Sequence, residues 1–140
     1  MPHIENVLYT AKTCTVGGRS GSSRSSDGNL DIKLSTPGSS GSGTNPEQLF
    51  AAGWSACFIG AMGKAAKKLN VTLPSDLAVL TEVDLGTTGE DYFLQARLNI
   101  SMPGVPHDTA QAVADLAHQT CPYSKATRGN INVTISVLEV

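Results

Sequence analysis

Polar and hydrophobic residues alternate along several stretches of the chain, and a long apolar run lies between them. Alternation with a period of two predicts β-strands, because successive side chains of a strand point to opposite faces. The predicted strands cover residues 7–16, 30–34, 77–85, 92–101 and 131–140. Polar residues 22–29, which contain Asp27 and Gly28, are expected to connect the first two strands as a hairpin loop.

The apolar run predicts a helix from Pro46 to Leu69. Its start is marked by Asn45, a good N-cap, and by a proline at the first helical position. The helix is apolar on almost all of its sides until Lys64. We therefore expect it to be buried, and a second subunit is one candidate for the surface that buries it.

Three glycines inside that helix, Gly53, Gly60 and Gly63, indicate that another backbone approaches it closely, since each costs about 1 kcal/mol relative to alanine. A second helix is predicted from Asp108, as its N-cap, through His118. The resulting order β-β-α-β-β-α-β, with the strands in hairpins, predicts an α+β fold and a single domain over residues 1–140.

Composition and charge narrow the class of protein. The 140 residues are 40% hydrophobic and 16% charged with a formal net charge of -2, which suits one globular domain and argues against a nucleic-acid partner. Serine, glycines and a lysine interrupt the apolar run, so we expect no membrane span. Residues 1–10 lack a signal-peptide pattern, and three cysteines without such a signal favour the cytoplasm.

Two cysteines lie in unlike surroundings, which suggests redox chemistry. Cys57 lies in the apolar helix, where a buried thiol is inert and structural unless a cation such as arginine favours its thiolate. Cys121 precedes Pro122 and either lies near exposed backbone N–H groups, which lower a thiol pKa, or simply caps a turn. The residues alone do not rank the two sulfurs. Cys14, in a predicted strand, is expected to be structural.

Further candidates for a site are charged. The glycine-rich turn at 17–21 either carries Arg19 towards a site or forms a plain hairpin or bulge. Glu47 could orient an arginine through a charge-assisted fork. His107 and His118 lack the spacing of metal ligands relative to each other or to the cysteines, so we expect no metal and no cofactor.

The segments around the two cysteines resemble the organic hydroperoxide resistance (Ohr) branch of the OsmC/Ohr family. They are GTNPEQLFAAG at 43–53 with SACF at 55–58, and CPYS at 121–124 with ATRGN at 126–130. Segments 9–11, 17–19 and 26–28 are similar as well, so the resemblance spans nearly the whole chain. Two departures are Trp54, where tyrosine is common, and Lys125, where asparagine is common.

The resemblance implies an OsmC/Ohr-like fold, with antiparallel sheets wrapped around central helices in an intertwined homodimer. It implies a thiol-dependent peroxidase that reduces organic (alkyl or fatty-acid) hydroperoxides to alcohols. Cys57 would form a sulfenic acid, Cys121 would resolve it as a disulfide, and Arg19, held by Glu47, would stabilise the thiolate. A lipoylated protein or dihydrolipoamide would then reduce the disulfide.

Helix geometry adds an expectation about assembly. Glu47 and Cys57 are about 15 Å apart along one straight helix, so one arginine cannot readily contact both within a subunit. Either the helix breaks near Gly53, or Glu47 reaches the site of a second chain. We favour the second arrangement, which requires a two-fold homodimer with its sites at the interface.

Apolar residues near Cys57 suit a bulky hydroperoxide, although core packing is the alternative explanation for all of them. The candidate substrate-binding residues are Leu49, Phe50, Trp54, Phe58 and Met62. Three other functions stay open at this point. They are an OsmC-type peroxidase with a different substrate preference, a non-enzymatic redox-sensing module, and an inert structural domain.

Overall fold

The computed structural model describes residues 1–139 of the chain. They form two compact units, the first over Met1–Pro46 and the second beginning at Glu47. These residues contain two three-stranded sheets and three α-helices, which confirms the predicted α+β class. The single domain over residues 1–140 stays a prediction.

The first unit is built on an antiparallel sheet with the order β1-β2-β3. Its strands are β1 (Thr13–Val16), β2 (Ser22–Ser25) and β3 (Asp31–Lys33). A 3-10 turn, Gly18–Ser20, joins β1 to β2 and carries Arg19. A Cβ on Gly21 would lie 1.8 Å from the carbonyl oxygen of Val16, so this turn closes only with glycine there.

Two predictions for this region are corrected. The first strand is shorter than residues 7–16, because residues 7–12 adopt no regular secondary structure. The expected loop at 22–29 begins with strand β2, whose serines and arginine give no apolar alternation and therefore no strand signal. The turn itself is confirmed at Asp27 and Gly28, where the Asp27 carboxylate accepts hydrogen bonds from the Ser25 hydroxyl and the Asn29 N–H. These bonds hold the pKa of Asp27 below its ordinary value.

The second unit contains a mixed sheet with the order β4-β5-β6. Its strands are β4 (Ala78–Thr88), β5 (Asp91–Ser101) and β6 (Asn132–Val137). Strands β4 and β5 form the predicted antiparallel hairpin, and β6 pairs parallel to β5. The expectation that all strands pair in antiparallel hairpins is therefore wrong for β6. Two helices separate it from β5, and such a crossover returns the chain in the same direction. Of the predicted strand over residues 131–140, position 140 lies outside the described residues.

Three helices belong to this part of the chain. They are α1 (Pro46–Leu69), α2 (His107–Thr120) and α3 (Pro122–Thr127). The bounds of α1 are those that the sequence predicts. Helix α2 begins one residue early, with Pro106 at its N-cap, and Asp108 lies in the first turn, where its charge still favours the helix dipole. Helix α3 replaces the short turn expected after Cys121 and Pro122.

A hydrophobic core joins α1, β5 and α2 within the second unit. Its largest buried apolar side chains are Trp54, Phe58, Met62, Leu98, Ile100, Met102 and Val113, each with at most 1% of its surface exposed. Small residues of α2 (Ala110, Ala114 and Ala117) let this helix pack closely against them. Cys121, at the end of α2, belongs to the same core.

Helix α1 is more apolar than its burial in this unit requires. Its mean hydropathy of 1.2 over an 18-residue window would suit a membrane span by length and composition, although only 33% of that window is buried here. The sequence had predicted no span. One such helix is weak grounds for a membrane, because core helices pass the same test. Its exposed face carries Ala52, Ala56, Ile59 and Gly60.

Candidate active site

Cys57 and Cys121, which are 64 residues apart in sequence, meet in the second unit. The Cys121 thiol donates a hydrogen bond to the sulfur of Cys57, with the two Sγ atoms 3.5 Å apart. Cys57 is partly exposed on α1, whereas Cys121 is fully buried, and both are free thiols. A disulfide requires an Sγ–Sγ distance of about 2.05 Å, so a shift of about 1.5 Å joins them.

The position of Cys121 follows from the break between α2 and α3. Its N–H donates to the carbonyl of Ala117, the last turn of α2, and its carbonyl accepts from the N–H of Lys125, the first turn of α3. Pro122 occupies the first position of α3, where its missing N–H costs nothing. One residue thus ends one helix and starts the next, and its side chain is directed into the core.

The electrostatic surroundings of Cys57 within this unit disfavour a thiolate. Burial raises the pKa of the Cys57 thiol, and the hydrogen bond with the Cys121 thiol raises that pKa further. The backbone N–H of Tyr123, in α3, lies within hydrogen-bonding reach of the Cys57 sulfur and lowers the pKa. Burial is the largest of these effects, so the thiolate needs a further stabilising charge at neutral pH.

A second contact joins the same two helices one turn away. The indole N–H of Trp54 donates to the hydroxyl of Ser124 at 3.2 Å, and both side chains are fully buried. The ring of Phe50 stacks on Trp54 with the centroids 5.4 Å apart, and it lies 6.4 Å from the ring of Tyr123. Three aromatic side chains therefore surround the approach of α3 to α1.

The three interior glycines of α1 differ in their surroundings. A Cβ at Gly53 would lie 3.5 Å from the ring of Tyr123, so a close approach occurs there, by a side chain rather than by the predicted backbone. Apart from the adjoining residues and the surrounding backbone of α1 itself, no described atom lies within 4 Å of a Cβ built at Gly60 or Gly63. The prediction of a close backbone approach is therefore not met by the described residues at those two positions.

The two charged candidates, Arg19 and Glu47, belong to different elements. Arg19 lies in the 3-10 turn of the first unit, and Glu47 lies in the first turn of α1. Helix α1 is continuous from Pro46 to Leu69, so it does not break near Gly53. Glu47 and Cys57 are consequently about 15 Å apart along the helix axis.

The predicted substrate-binding residues fall into two groups. Trp54, Phe58 and Met62 are fully buried core residues, which is the alternative explanation that the sequence left open. Leu49 and Phe50 are only partly buried on α1. A substrate-lining role stays a prediction for all five residues, and their partial exposure makes Leu49 and Phe50 better placed for it than the three core residues.

The remaining candidates are Cys14, the histidines and a metal site. Cys14 is exposed on β1, opposite Arg24 of β2. The buried Nδ1 of His118 has no hydrogen-bond partner among residues 1–139, and burial, followed by the positive charge of Arg128, lowers the pKa of this histidine. Across the same described residues, no three His, Cys, Asp or Glu side chains are grouped to hold a metal ion.

Sequence reasoning missed Tyr123 and Ser124 as members of this site. Both lie in the CPYS segment, but the backbone donor of one and the hydroxyl acceptor of the other act on residues of α1 some 70 positions away. No local pattern reports such contacts. The arrangement as a whole is a partly exposed thiol with a buried second thiol in bonding reach, which suits oxidation of one sulfur and its capture by the other.

Known proteins match this chain over nearly its whole length. Residues 38–136 match the family described as OsmC-like protein. The organic hydroperoxide resistance protein of Xanthomonas axonopodis pv. citri is 48% identical over 98% of this chain and 99% of its own. The crystal structure of the organic hydroperoxide resistance protein OhrB of Bacillus subtilis has a TM-score of 0.88 at 39% identity, covering 94% of this chain and all of that one. An OsmC-like protein of Mycoplasma pneumoniae, at 17% identity and a TM-score of 0.68, shares the fold alone.

The chain therefore belongs to the OsmC-like family, in the branch of the organic hydroperoxide resistance proteins.

Proposed function

We propose that this protein is a thiol-dependent peroxidase that reduces organic hydroperoxides, with alkyl or fatty-acid chains, to alcohols in the cytoplasm. The observation that carries the proposal is the 3.5 Å separation of the Cys57 and Cys121 sulfurs. The names of its relatives, which refer to organic hydroperoxide resistance, support the substrate class.

Each step of the proposed cycle is ordinary sulfur chemistry. The Cys57 thiolate attacks one peroxide oxygen and the O–O bond breaks. The alkoxide takes a proton and leaves as an alcohol, and Cys57 becomes a sulfenic acid. The Cys121 sulfur then attacks the Cys57 sulfur, which forms the disulfide and releases water. A dithiol, from a lipoylated protein or dihydrolipoamide, reduces the disulfide by exchange and is itself oxidised. The cycle uses no metal or other cofactor.

The proposed roles of Arg19 and Glu47 follow from the raised pKa of the Cys57 thiol. Because burial raises the pKa of this thiol, its thiolate requires a nearby cation. Arg19 is the proposed cation, since a guanidinium stays charged at all working pH values, and Glu47 would hold its orientation through paired hydrogen bonds. The Tyr123 N–H adds a neutral donor to the same sulfur.

The substrate would approach between apolar side chains. Phe50 and Tyr123 flank the place where α3 meets α1, and Leu49 neighbours Phe50 on the partly exposed part of the helix. Trp54, Phe58 and Met62 would shape this approach from beneath, as its buried floor. An apolar approach favours a bulky alkyl chain over hydrogen peroxide.

A homodimer would complete the site. Because α1 is unbroken, Glu47 cannot readily serve the cysteines of its own helix, and we propose that it serves those of a partner chain. The apolar face of α1 that this unit leaves exposed, at Ala52, Ala56, Ile59 and Gly60, would be covered by the partner.

The peroxidase is tested by steady-state turnover with dihydrolipoamide as electron donor. We expect tert-butyl hydroperoxide to be reduced much faster than hydrogen peroxide. Cys57→Ser should abolish turnover, because it removes the nucleophile. Cys121→Ser should consume one equivalent and then stop, and Cys14→Ser should match the wild type. Undiminished turnover in Cys57→Ser, or none in the wild type, would contradict the proposal.

The role of Arg19 is tested by the pH dependence of Cys57 oxidation. Removing a cation raises the pKa of a nearby thiol, so Arg19→Gln should move the midpoint of the rate profile to higher pH. The oxidation rate at pH 7 should fall about tenfold for each unit of that move. Arg24→Gln removes the same charge from the exposed face of β2 and should leave the profile in place. An unshifted midpoint in Arg19→Gln would exclude it as the stabilising cation.

The shared site is tested by mixing two inactive chains. Glu47→Gln and Cys57→Ser, refolded together, would form mixed dimers in which one site pairs the intact Glu47 of one chain with the intact Cys57 of the other. Activity should rise to about a quarter of the wild-type value if the chains pair at random. Activity that stays at the mean of the two parents, or a single-chain mass at micromolar concentration, would show that each chain works alone.

A further inference from the structure

Helices α1 and α3 meet at two points that share one geometry. On α1 the contacting residues are Trp54 and Cys57, and on α3 and its cap they are Ser124 and Cys121. Each pair is three residues apart, which places its members on one face of a helix. The sulfur pair and the Trp54–Ser124 hydrogen bond are therefore two neighbouring contacts between the helices.

The buried face of α3 and its cap is polar at two of its three positions, and beside it Tyr123 contacts Phe50 and approaches Gly53 of α1. The residues of this face are Cys121, Ser124 and Thr127, at spacings of three, and their side chains end in a thiol and two hydroxyls. The hydroxyl of Thr127 donates to carbonyls of Tyr123 and Ser124 within its own helix. The hydroxyl of Ser124 instead accepts from the indole of α1, so it ties the two helices together.

We propose that the Trp54–Ser124 hydrogen bond positions Cys121 for reaction with Cys57. Trp54 and Ser124 are positioning residues: they act through α3 and set the separation and direction of approach of the two sulfurs. The proposal rests on the resolving role of Cys121 given above. It concerns the second step, in which the Cys121 sulfur attacks the oxidised Cys57 sulfur, the S–S bond forms and water leaves.

Burial strengthens this contact. Both partners are fully excluded from water. If one partner is removed, the polar group of the other is left without a hydrogen bond, because no water reaches it. Helix α3 would then settle in another position, and the sulfurs would spend less time within bonding reach. A misplacement of about 1 Å at reacting atoms costs up to about a hundredfold in rate or effective concentration.

The test measures the thiol–disulfide equilibrium of the full chain against dithiothreitol, which requires no peroxide. Trp54→Phe removes the donor and keeps the ring that stacks on Phe50, and Ser124→Ala removes the acceptor. We expect each variant to shift the equilibrium towards the dithiol by about ten- to a hundredfold. The double variant should shift it no further than the larger single shift, because both changes remove one contact.

Thr127→Val is the matched control, because it removes a buried hydroxyl from the same face of the same helix without a bond to α1. Its equilibrium should stay within about threefold of the wild type. A single-turnover experiment adds the kinetic readout. In Ser124→Ala the sulfenic acid at Cys57 should form at a rate within about fivefold of the wild type, the worth of one neutral hydrogen bond. It should persist long enough to be trapped by dimedone.

The proposal is overturned if folded Ser124→Ala and Trp54→Phe both stay within threefold of the wild-type equilibrium. It is also overturned if their shifts add in the double variant, or if Thr127→Val shifts as far as they do. Where Trp54→Phe does not fold, the comparison of Ser124→Ala with Thr127→Val decides. The exchange is independent of peroxide. If the variants show these shifts but the wild type shows no peroxide turnover, the proposed enzyme is refuted and the positioning contact still stands.

Discussion

The Cys57 thiol lies against the hydrophobic core of the second unit, where it meets the Cys121 sulfur at 3.5 Å. This placement has two opposing consequences. It brings the two sulfurs into bonding reach, and it raises the pKa of Cys57, because burial disfavours the thiolate that the chemistry needs. The Tyr123 N–H beside the sulfur lowers the pKa of Cys57, and the proposed approach of the Arg19 guanidinium would lower it further.

Helix α1 is the element on which the site is assembled. One of its faces packs into the core through Trp54, Phe58 and Met62 and also carries the contacts to α3. The opposite face is apolar but remains exposed within this unit, and the helix runs unbroken between Glu47 and Cys57. In the proposed homodimer, a second copy of the chain would cover that face and bring a Glu47 to each cysteine pair. One rigid helix would thus serve folding, assembly and chemistry together.

The sequence predicted well those elements whose signals are local. Helix α1 has its predicted bounds because a proline starts it and an apolar run defines its length, and the hairpin of β4 and β5 follows from strict alternation. Strand β2 was missed because its polar residues give no period, and the parallel pairing of β6 depends on the path of two helices. These outcomes depend on tertiary context that a local pattern does not contain.

The candidate site shows the same division more sharply. Cys57 and Cys121 could be singled out from the residues as candidates for redox chemistry, yet only the family resemblance assigned the first reaction to Cys57 and the resolving role to Cys121. The contact between Trp54 and Ser124 spans 70 residues, and nothing in either segment indicates the other. The residues alone did not rank the two thiols, whereas the structure buries Cys121 fully and leaves Cys57 partly exposed. Access to a peroxide therefore supports Cys57 as the first sulfur to react.

The central claim is that Cys57 and Cys121 together reduce an organic hydroperoxide. Its most direct test is a single-turnover experiment that quantifies the thiols lost and the alcohol formed. The reduced protein is mixed with one equivalent of an organic hydroperoxide in the absence of any dithiol, and the products are quantified by chromatography and peptide mass mapping. We predict one alcohol per chain, the loss of two thiols, a Cys57–Cys121 linked peptide and an unmodified Cys14. Unconsumed hydroperoxide, or thiol loss that involves Cys14 in place of Cys121, would contradict the account.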